Sequence, residues 1–234
     1  KLTEFEGPGV YHNTQAAYHP NFRNFLEKFG FYDIFITDTQ GNVVYSVFKE
    51  LDYGTSLLTG PYANTNFASA FTKANNLNQG ETAIEDFKPY RPSYDAPASF
   101  IASPIFRQGT RVGVLIIQIP LEPINTIMGE RSGMGQTGES YLIGPDKLMR
   151  SDSYLDPENP SVIQSFNHPE LGAVKTTAAE NALAGKTGFD IINDYNGNPV
   201  LSAYAPLRHG VLQWAILAEI DEAEAFAGIY SLGK

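Results

Sequence analysis

Short apolar runs separated by turn residues recur along the chain, a pattern that predicts β-strands. Residues 32–38 and 43–47 are rich in Val, Ile, Tyr and Phe, and a Gln-Gly-Asn turn joins them, which predicts a β-hairpin. Residues 139–143 and 148–151 repeat this arrangement around a Gly-Pro-Asp-Lys turn. The two predicted hairpins lie about a hundred residues apart, which indicates an internal repeat.

The later part of each repeat is also similar. A Pro-Ile-Phe-Arg-Gln-Gly segment precedes the apolar residues 112–119, and a Pro-Leu-Arg-His-Gly segment precedes residues 211–220. Predicted helices, residues 66–74 and 169–183, lie between each hairpin and these last strands. Each half is therefore predicted to have the order strand–strand–helix–strand–strand–strand. Chance similarity is the alternative, but the agreement in order favours duplication.

This order predicts an α+β fold, in which a long N-terminal helix precedes two modules. Each module is an antiparallel sheet of about five strands with flanking helices. Apolar residues spaced three and four apart between Pro20 and Gly30 predict an amphipathic helix, with Pro20 in its first turn and Gly30 at its end. Residues 221–230 predict a C-terminal helix. The predicted domains are the N-terminal helix (1–30), the first module (31–125), the second module (126–220) and the exit helix (221–234).

The composition excludes several classes of function. The 234 residues include 16 Lys or Arg and 26 Asp or Glu, giving a net charge of −10, which argues against nucleic-acid binding and against a polybasic membrane surface. The absence of cysteine excludes thiol catalysis, disulfides and Cys-ligated zinc. The four histidines are scattered, and no nucleophile elbow or phosphate loop is present, so we predict no metal, cofactor or catalytic site.

The hydropathy pattern also bears on location. No apolar run reaches the roughly 18 residues that a transmembrane helix requires. No signal peptide begins at Lys1, so we expect either a cytosolic chain or a trimmed fragment of a longer one.

Five segments resemble the double Cache sensor family, and one of them is residues 150–153, Arg-Ser-Asp-Ser, which follow where the family's second strand ends. Residues 135–144, Gly-Gln-Thr-Gly-Glu-Ser-Tyr-Leu-Ile-Gly, are similar to the opening of the membrane-proximal Cache module, and residues 214–221 are similar to the last strand entering the exit helix. Residues 54–57 and 86–90 resemble the membrane-distal module of one chemoreceptor subgroup. Domains of this family are the extracytoplasmic parts of bacterial chemoreceptors, sensor histidine kinases and nucleotide cyclases.

The resemblance implies a PAS-like fold in both modules, with the first module distal and the second proximal to the membrane. It also implies flanking transmembrane helices beyond this chain, a periplasmic location in an inner-membrane receptor, and a small-molecule pocket in the distal module that signals through the exit helix. Residues 91–94, Arg-Pro-Ser-Tyr, match only partly the Arg-Pro-Trp-Tyr motif of amino-acid-sensing relatives. The resemblance therefore does not extend to amino-acid sensing.

The strongest candidate binding segment is residues 86–99. Three prolines stiffen it, and its phenols and charged side chains predict a lid over a distal pocket, with a rigid exposed hairpin as the alternative. Two tyrosines of the Gly-rich loop before the first module's helix are further candidates. The candidate ligand-binding residues are Tyr45, Tyr53, Tyr62, Tyr90, Arg91, Tyr94, Asp95 and Ser99.

The leading hypothesis is the non-enzymatic ligand-sensing domain of a transmembrane chemoreceptor. The same module in a histidine kinase or nucleotide cyclase is an alternative with the same fold. A secreted solute-binding protein or a hydrolase is an alternative of a different class. The N-terminal helix is predicted either to pack on its own sheet, which is slightly favoured, or to form the surface of a homodimer.

Overall fold

The computed structural model describes residues 9–157 and 161–227, and its chain divides into two compact units between Pro120 and Leu121. Both units are α+β, as predicted, with antiparallel sheets of five and four strands. The helices are α1 (Val10–Phe29), α2 (Asn66–Ala74), α3 (Glu122–Met128), α4 (Val162–Asn167), α5 (Pro169–Gly172), α6 (Thr177–Leu183) and α7 (Glu222–Ala225). The strands are β1 (Asp33–Thr37), β2 (Val43–Ser46), β3 (Ala83–Pro89), β4 (Pro97–Arg107), β5 (Thr110–Ile119), β6 (Glu139–Ile143), β7 (Gly188–Asn193), β8 (Pro199–His209) and β9 (Leu212–Asp221).

Helix α1 is longer than its apolar stripe predicts. It begins ten residues before Pro20, so the placement of Pro20 in the first turn was wrong. Pro20 is exposed, and the backbone carbonyl that it cannot bond belongs to the exposed Ala16, where water can satisfy it. The helix ends as predicted at Gly30, which has a left-handed φ of 69° and donates its N–H to the carbonyl of Leu26.

The first sheet has the strand order β2-β1-β5-β4-β3 and is covered on both faces. Helix α2 begins at the side-chain cap of Thr65 and packs Phe67 and Phe71 on the inner face, against Phe35 and Phe100. Helix α1 packs on the outer face, where Leu26 joins a cluster with Ile34, Tyr45 and Val47. The slightly favoured prediction that α1 packs on its own sheet agrees with these contacts.

The second sheet has the order β6-β9-β8-β7, which is one strand fewer than predicted among the described residues. Residues 148–151 form only an isolated bridge between Ile143 and Met149. The hydroxyl of Ser151 accepts the N–H of Leu142, so a side chain replaces the backbone acceptor that a continuing ladder would need. The predicted hairpin is therefore present as a turn without a second strand.

The helical segment of the second unit is also divided. The prediction placed one helix at residues 169–183, but α5 ends before the extended Ala173, and α6 begins at Thr177, after the N-cap Thr176, whose hydroxyl accepts the N–H of Ala179. The predicted C-terminal helix is observed at Glu222–Ala225, and residues 228–230 of that prediction lie outside the described residues. In the part of the chain that the structure describes, no helix has both the length and the apolar character needed to cross a membrane.

Candidate functional site

A buried polar cluster lies at one end of the inner face of the first sheet. Asp33 of β1 and Gln118 of β5 are directly opposed across the two strands, and both are buried. Because side chains alternate along a strand, they share the inner face with the core residues Phe35 and Ile116. We call Asp33, Asp52, Tyr90, Ser93 and Gln118 the first-unit polar cluster.

Two segments cover this end of the sheet and complete the cluster. The 3₁₀ turn Arg91–Ser93 follows β3, and the hydroxyl of Ser93 is 2.9 Å from the side-chain nitrogen of Gln118, which donates to it. Tyr90, immediately before this turn, donates its hydroxyl to Asp52 Oδ2 at 2.7 Å. Asp52 comes from the loop after β2, so the cluster joins four segments that are separate in sequence.

Aromatic rings form the apolar side of the same region. The ring of Tyr90 is 6.1 Å from that of Tyr62 and 5.9 Å from that of Phe67, the latter in an edge-on arrangement. Phe67 belongs to α2, and its neighbour Asn66 donates its side-chain N–H groups to the carbonyls of Asp86 and Ala98. Asn66 thereby ties α2 to the segment that carries Tyr90.

Burial changes the protonation of both carboxyl groups. It raises the pKa of Asp33 to about 7, although the N–H groups of Ile34 and Val47 donate to Asp33 Oδ1 and oppose the shift. Burial also raises the pKa of Asp52 to about 6, opposed by the hydrogen bond from Tyr90. Near neutral pH the cluster therefore exchanges protons easily, and its net charge follows small changes in its surroundings.

Four buried side-chain oxygens in this region have no hydrogen-bond partner among the described residues. They are Asp33 Oδ2, Asp52 Oδ1, Asn66 Oδ1 and Gln118 Oε1. Buried polar atoms are nearly always paired, because an unpaired one costs about 1–3 kcal/mol. When both carboxyl groups are ionised all four atoms are acceptors, and the region is then suited to a molecule that brings several N–H or O–H donors.

The structure brings together some of the sequence-predicted residues. Tyr62 and Tyr90 meet beside the cluster, as described above. Tyr53 is half-buried in the same loop as Asp52, but its hydroxyl donates to that of Tyr11 in α1 at 2.7 Å. Ser99 is buried and donates to the carbonyl of Glu85, within the ladder between β3 and β4.

The remaining predicted residues lie elsewhere. Tyr45 is on the outer face of the sheet, where its hydroxyl is 2.9 Å from Nδ1 of His19 in α1. Arg91, Tyr94 and Asp95 lie on the exposed side of the segment that carries Tyr90 and Ser93. Tyr94 and Asp95 have positive φ values of 58° and 60°, so this turn holds a conformation that side chains other than glycine rarely adopt.

Sequence reasoning missed Asp33, Asp52, Asn66, Ser93 and Gln118. A signal existed for two of them, because Asp33 and Gln118 interrupt apolar strands at positions whose neighbours two residues away belong to the core. Asp52 and Ser93 carried no such signal, since they lie in loops whose path the local pattern does not define.

The second unit has a counterpart at the same place in its sheet. Glu139 of β6 and Glu219 of β9 are directly opposed, as Asp33 and Gln118 are in the first unit. Here every carboxylate oxygen has a donor: Tyr141 and Ser202 bond Glu219, while Tyr195 and Ser153 bond Glu139. A cavity of about 160 Å³ adjoins Tyr195. The second cluster is thus satisfied internally, whereas the first has open acceptors.

Comparison with known proteins agrees with this architecture. The family model described as Cache domain matches residues 2–229. A protein of Sinorhizobium fredii named "Probable chemoreceptor y4sI" is 27% identical over 198 residues, which cover 82% of this chain and 22% of that protein. The chain therefore spans about a fifth of the length of that relative.

Solved structures with low sequence identity share the fold. The ligand-binding domain of the Pseudomonas aeruginosa amino acid chemoreceptor PctB, in complex with L-Arg, is 18% identical with a TM-score of 0.56, covering 99% of this chain and 79% of that one. The extracellular domain of the putative histidine kinase vpHK1S-Z8 is 15% identical with a TM-score of 0.57, covering 95% of this chain and 79% of that one.

Two helix-covered antiparallel sheets, one after the other in the chain, define a two-module α+β domain. The chain belongs to the Cache domain family. The family resemblance found in the sequence is thereby confirmed.

Proposed function

We propose that this chain is the extracytoplasmic ligand-sensing domain of a chemoreceptor and that it binds a small molecule in the distal module. The observation that supports the binding site is the set of four buried acceptor oxygens around the first-unit polar cluster that have no partner among the described residues. A ligand that donates hydrogen bonds to these oxygens removes the cost of burying them unpaired, and this gain contributes to the free energy of binding.

The chemistry of the cluster favours a ligand with an ammonium or similar donor group. Asp52 supplies a carboxylate, and Asp33 supplies a second one once it loses its proton. A cation close to both lowers their pKa values and so fixes both in the ionised form. The rings of Tyr62, Phe67 and Tyr90 provide an apolar surface for the rest of such a molecule.

The predicted lid has a specific form in this proposal. Residues 86–99 place Tyr90 and Ser93 on the inside and Arg91, Tyr94 and Asp95 on the outside. Movement of the short 3₁₀ turn opens a path to Gln118 and Asp52 without disturbing the sheet. A ligand shifts the lid by as much as its affinities for the two arrangements differ.

The chemoreceptor assignment, the membrane attachment and the relay through the exit helix are parts of the same proposal. The named relative supports the chemoreceptor. The structural neighbour from a histidine kinase favours the kinase as the second candidate, because it shares the fold to the same degree. In either protein the domain acts by binding, without catalysis, and lies outside the cytoplasm.

We also propose a homodimer through α1. Tyr18 and Phe25 lie seven residues apart, Phe29 follows one turn later, and all three are at least 46% exposed. Phe25 and Phe29 stack with Phe31 into an aromatic cluster. A seven-residue spacing is typical of a seam between two helices, and a second copy presents the same seam.

A thermal-shift screen tests the binding proposal. The screen includes amino acids, γ-aminobutyrate, polyamines, carboxylates and purines, because a ligand that binds the native state raises its melting temperature. We expect stabilisation by compounds with an ammonium group, and loss of the shift in Asp52→Asn but not in the exposed control Asp95→Asn. Stabilisation by carboxylates alone, or an unchanged shift in Asp52→Asn, would contradict the proposed site.

A further inference from the structure

The short helix α7 is held to the loop before β6 by a single side chain, that of Glu224. Glu224 Oε1 accepts the N–H of Gln136 at 2.7 Å, and Oε2 accepts the N–H of Thr137 at 2.8 Å and its hydroxyl at 2.6 Å. Thr137 and Gln136 lie 87 and 88 positions before Glu224 in the sequence, so the contact is a long-range one. Three donors around one carboxylate lower its pKa and keep it ionised.

The loop is shaped to receive this carboxylate. Gly135 has a positive φ of 65°, and a Cβ atom there would lie 2.3 Å from Glu224 Oε1. Arg131 donates to the carbonyls of Gly135 and Gln136, which fixes the loop from its other side. The Gly-Gln-Thr-Gly-Glu sequence at residues 135–139 thus has a structural role that its resemblance to the family does not explain.

A second contact extends this attachment to the strand before the helix. The hydroxyl of Thr137 donates to Glu224 and accepts the N–H of Asp221, the last residue of β9. Thr137 is therefore hydrogen-bonded both to the last residue of β9 and to Glu224 of α7. We call Glu224, Thr137 and Gln136 the exit clamp.

We propose that Glu224 is the positioning residue that couples the second module to the exit helix, by holding α7 against the loop that leads into β6. This inference rests on the proposed relay through the exit helix. A shift of β6 or of the loop 131–138 reaches α7 through the clamp, because the charge-assisted bonds to backbone N–H groups are short and directional. Apart from the clamp, α7 is joined to its module by its continuation from β9 and by packing against β8 and β9.

The first test measures the clamp directly, without any ligand. In the purified chain, Glu224→Gln removes the charge and one acceptor oxygen, so we expect hydrogen exchange at the amides of Gln136 and Thr137 to accelerate by about tenfold or more. The matched control is Glu222→Gln on the same helix. Unchanged exchange in Glu224→Gln would overturn the clamp.

Two glycines provide a second pair of variants. Gly135→Ala and Gly133→Ala both place alanine at a positive φ, but only the Cβ of the first meets Glu224, since nothing lies within 4 Å of the second. We expect faster exchange in residues 221–227 only in Gly135→Ala. Equal exchange in the two variants would show that backbone strain, and not the clamp, controls the helix.

The last test separates coupling from a merely structural role. The chain is joined to the transmembrane and output segments of a chemoreceptor, and basal kinase output is measured without ligand for Glu224→Gln and Glu222→Gln. We expect a shifted basal output only in Glu224→Gln, with receptor abundance unchanged. Faster exchange with unchanged output would overturn the coupling role and leave the distal binding proposal untouched, because neither measurement requires a ligand.

Discussion

Asp33 and Gln118 face each other across β1 and β5, and each has one buried oxygen with no partner in the part of the chain that the structure describes. The equivalent pair of the second unit, Glu139 and Glu219, is fully bonded by hydroxyl and backbone donors. Polar pairs thus lie at corresponding places in both sheets, and within the described residues only the first pair has unpaired acceptor oxygens. This difference is the physical reason for assigning ligand binding to the first module.

The raised pKa of Asp33 makes stability depend on pH. Its pKa is near 3.8 when unfolded and about 7 when folded, so between these values the native state binds the extra proton. The stabilisation is complete below about pH 4 and is lost as the pH rises through 7, and Asp52, with a folded pKa of about 6, contributes with the same sign. Each pKa unit corresponds to about 1.4 kcal/mol, so the total loss is on the order of a few kcal/mol.

Denaturant unfolding between pH 4 and 8 measures this effect. Besides burial, the charged neighbours Asp52 and Glu50 raise the pKa of Asp33. Lys49 is also nearby, because the charge of Asp33 acts on the pKa of the Lys49 ammonium. We expect Asp33→Asn to flatten the fall of unfolding free energy with pH, while the exposed Asp95→Asn leaves it unchanged. A slope that persists in Asp33→Asn would show that other groups control it.

The bond between Tyr90 and Asp52 predicts a second effect on stability. Tyr90→Phe removes the hydroxyl donor and leaves the carboxyl of Asp52 buried with one partner fewer, so we expect a loss of about 1–3 kcal/mol in unfolding free energy. The pKa of Asp52 should rise further, because that bond lowers it. Carbon-13 NMR of the aspartate carboxyls would follow the titration.

Tyr94→Phe is the matched control for this variant. Tyr94 is 86% exposed, so its change should stay within about 0.5 kcal/mol. Equal losses in the two variants would mean that the Tyr90 hydroxyl has no special role.

Local patterns were sufficient to predict much of the fold. Helix α2 was predicted with its observed bounds, because an N-capping Thr65 precedes a continuous apolar stripe and two asparagines follow it. The strands were recognisable from β-branched and aromatic runs between turn residues. The start of α1 was not, because an internal proline on an exposed face resembles a helix start.

The candidate site was harder to predict, for reasons of geometry. Tyr45 was expected in the pocket, but a register shift pairs Thr37 with Val43 and Ile36 with Tyr45, so Tyr45 lies on the outer face while Val43 stays on the inner one. Asp52 reaches Tyr90 across 38 positions of sequence through an irregular loop. Neither a single-residue bulge nor such a loop leaves a periodic signal.

The lid proposal predicts a graded effect of substitutions on ligand affinity. Tyr90→Ala removes both an aromatic wall and the partner of Asp52, so we expect at least a tenfold loss of affinity, equal to about 1.4 kcal/mol. Tyr94→Ala should weaken binding less, because its side chain lies on the outer side of the lid. Isothermal titration with the compound from the thermal screen gives both values. Unchanged affinity in both variants would exclude the lid.

The aromatic seam of α1 predicts the oligomeric state. Phe25→Glu places a charge in the seam beside Phe29 and Phe31, where a second copy would bury it without a partner. We expect the unmodified chain to form dimers in sedimentation velocity and Phe25→Glu to remain monomeric at the same concentration. Leu171→Glu, which is 82% exposed in α5 of the other unit, is the control and should leave the dimer intact. A monomeric unmodified chain, or a dimer that survives Phe25→Glu, would contradict the proposed interface.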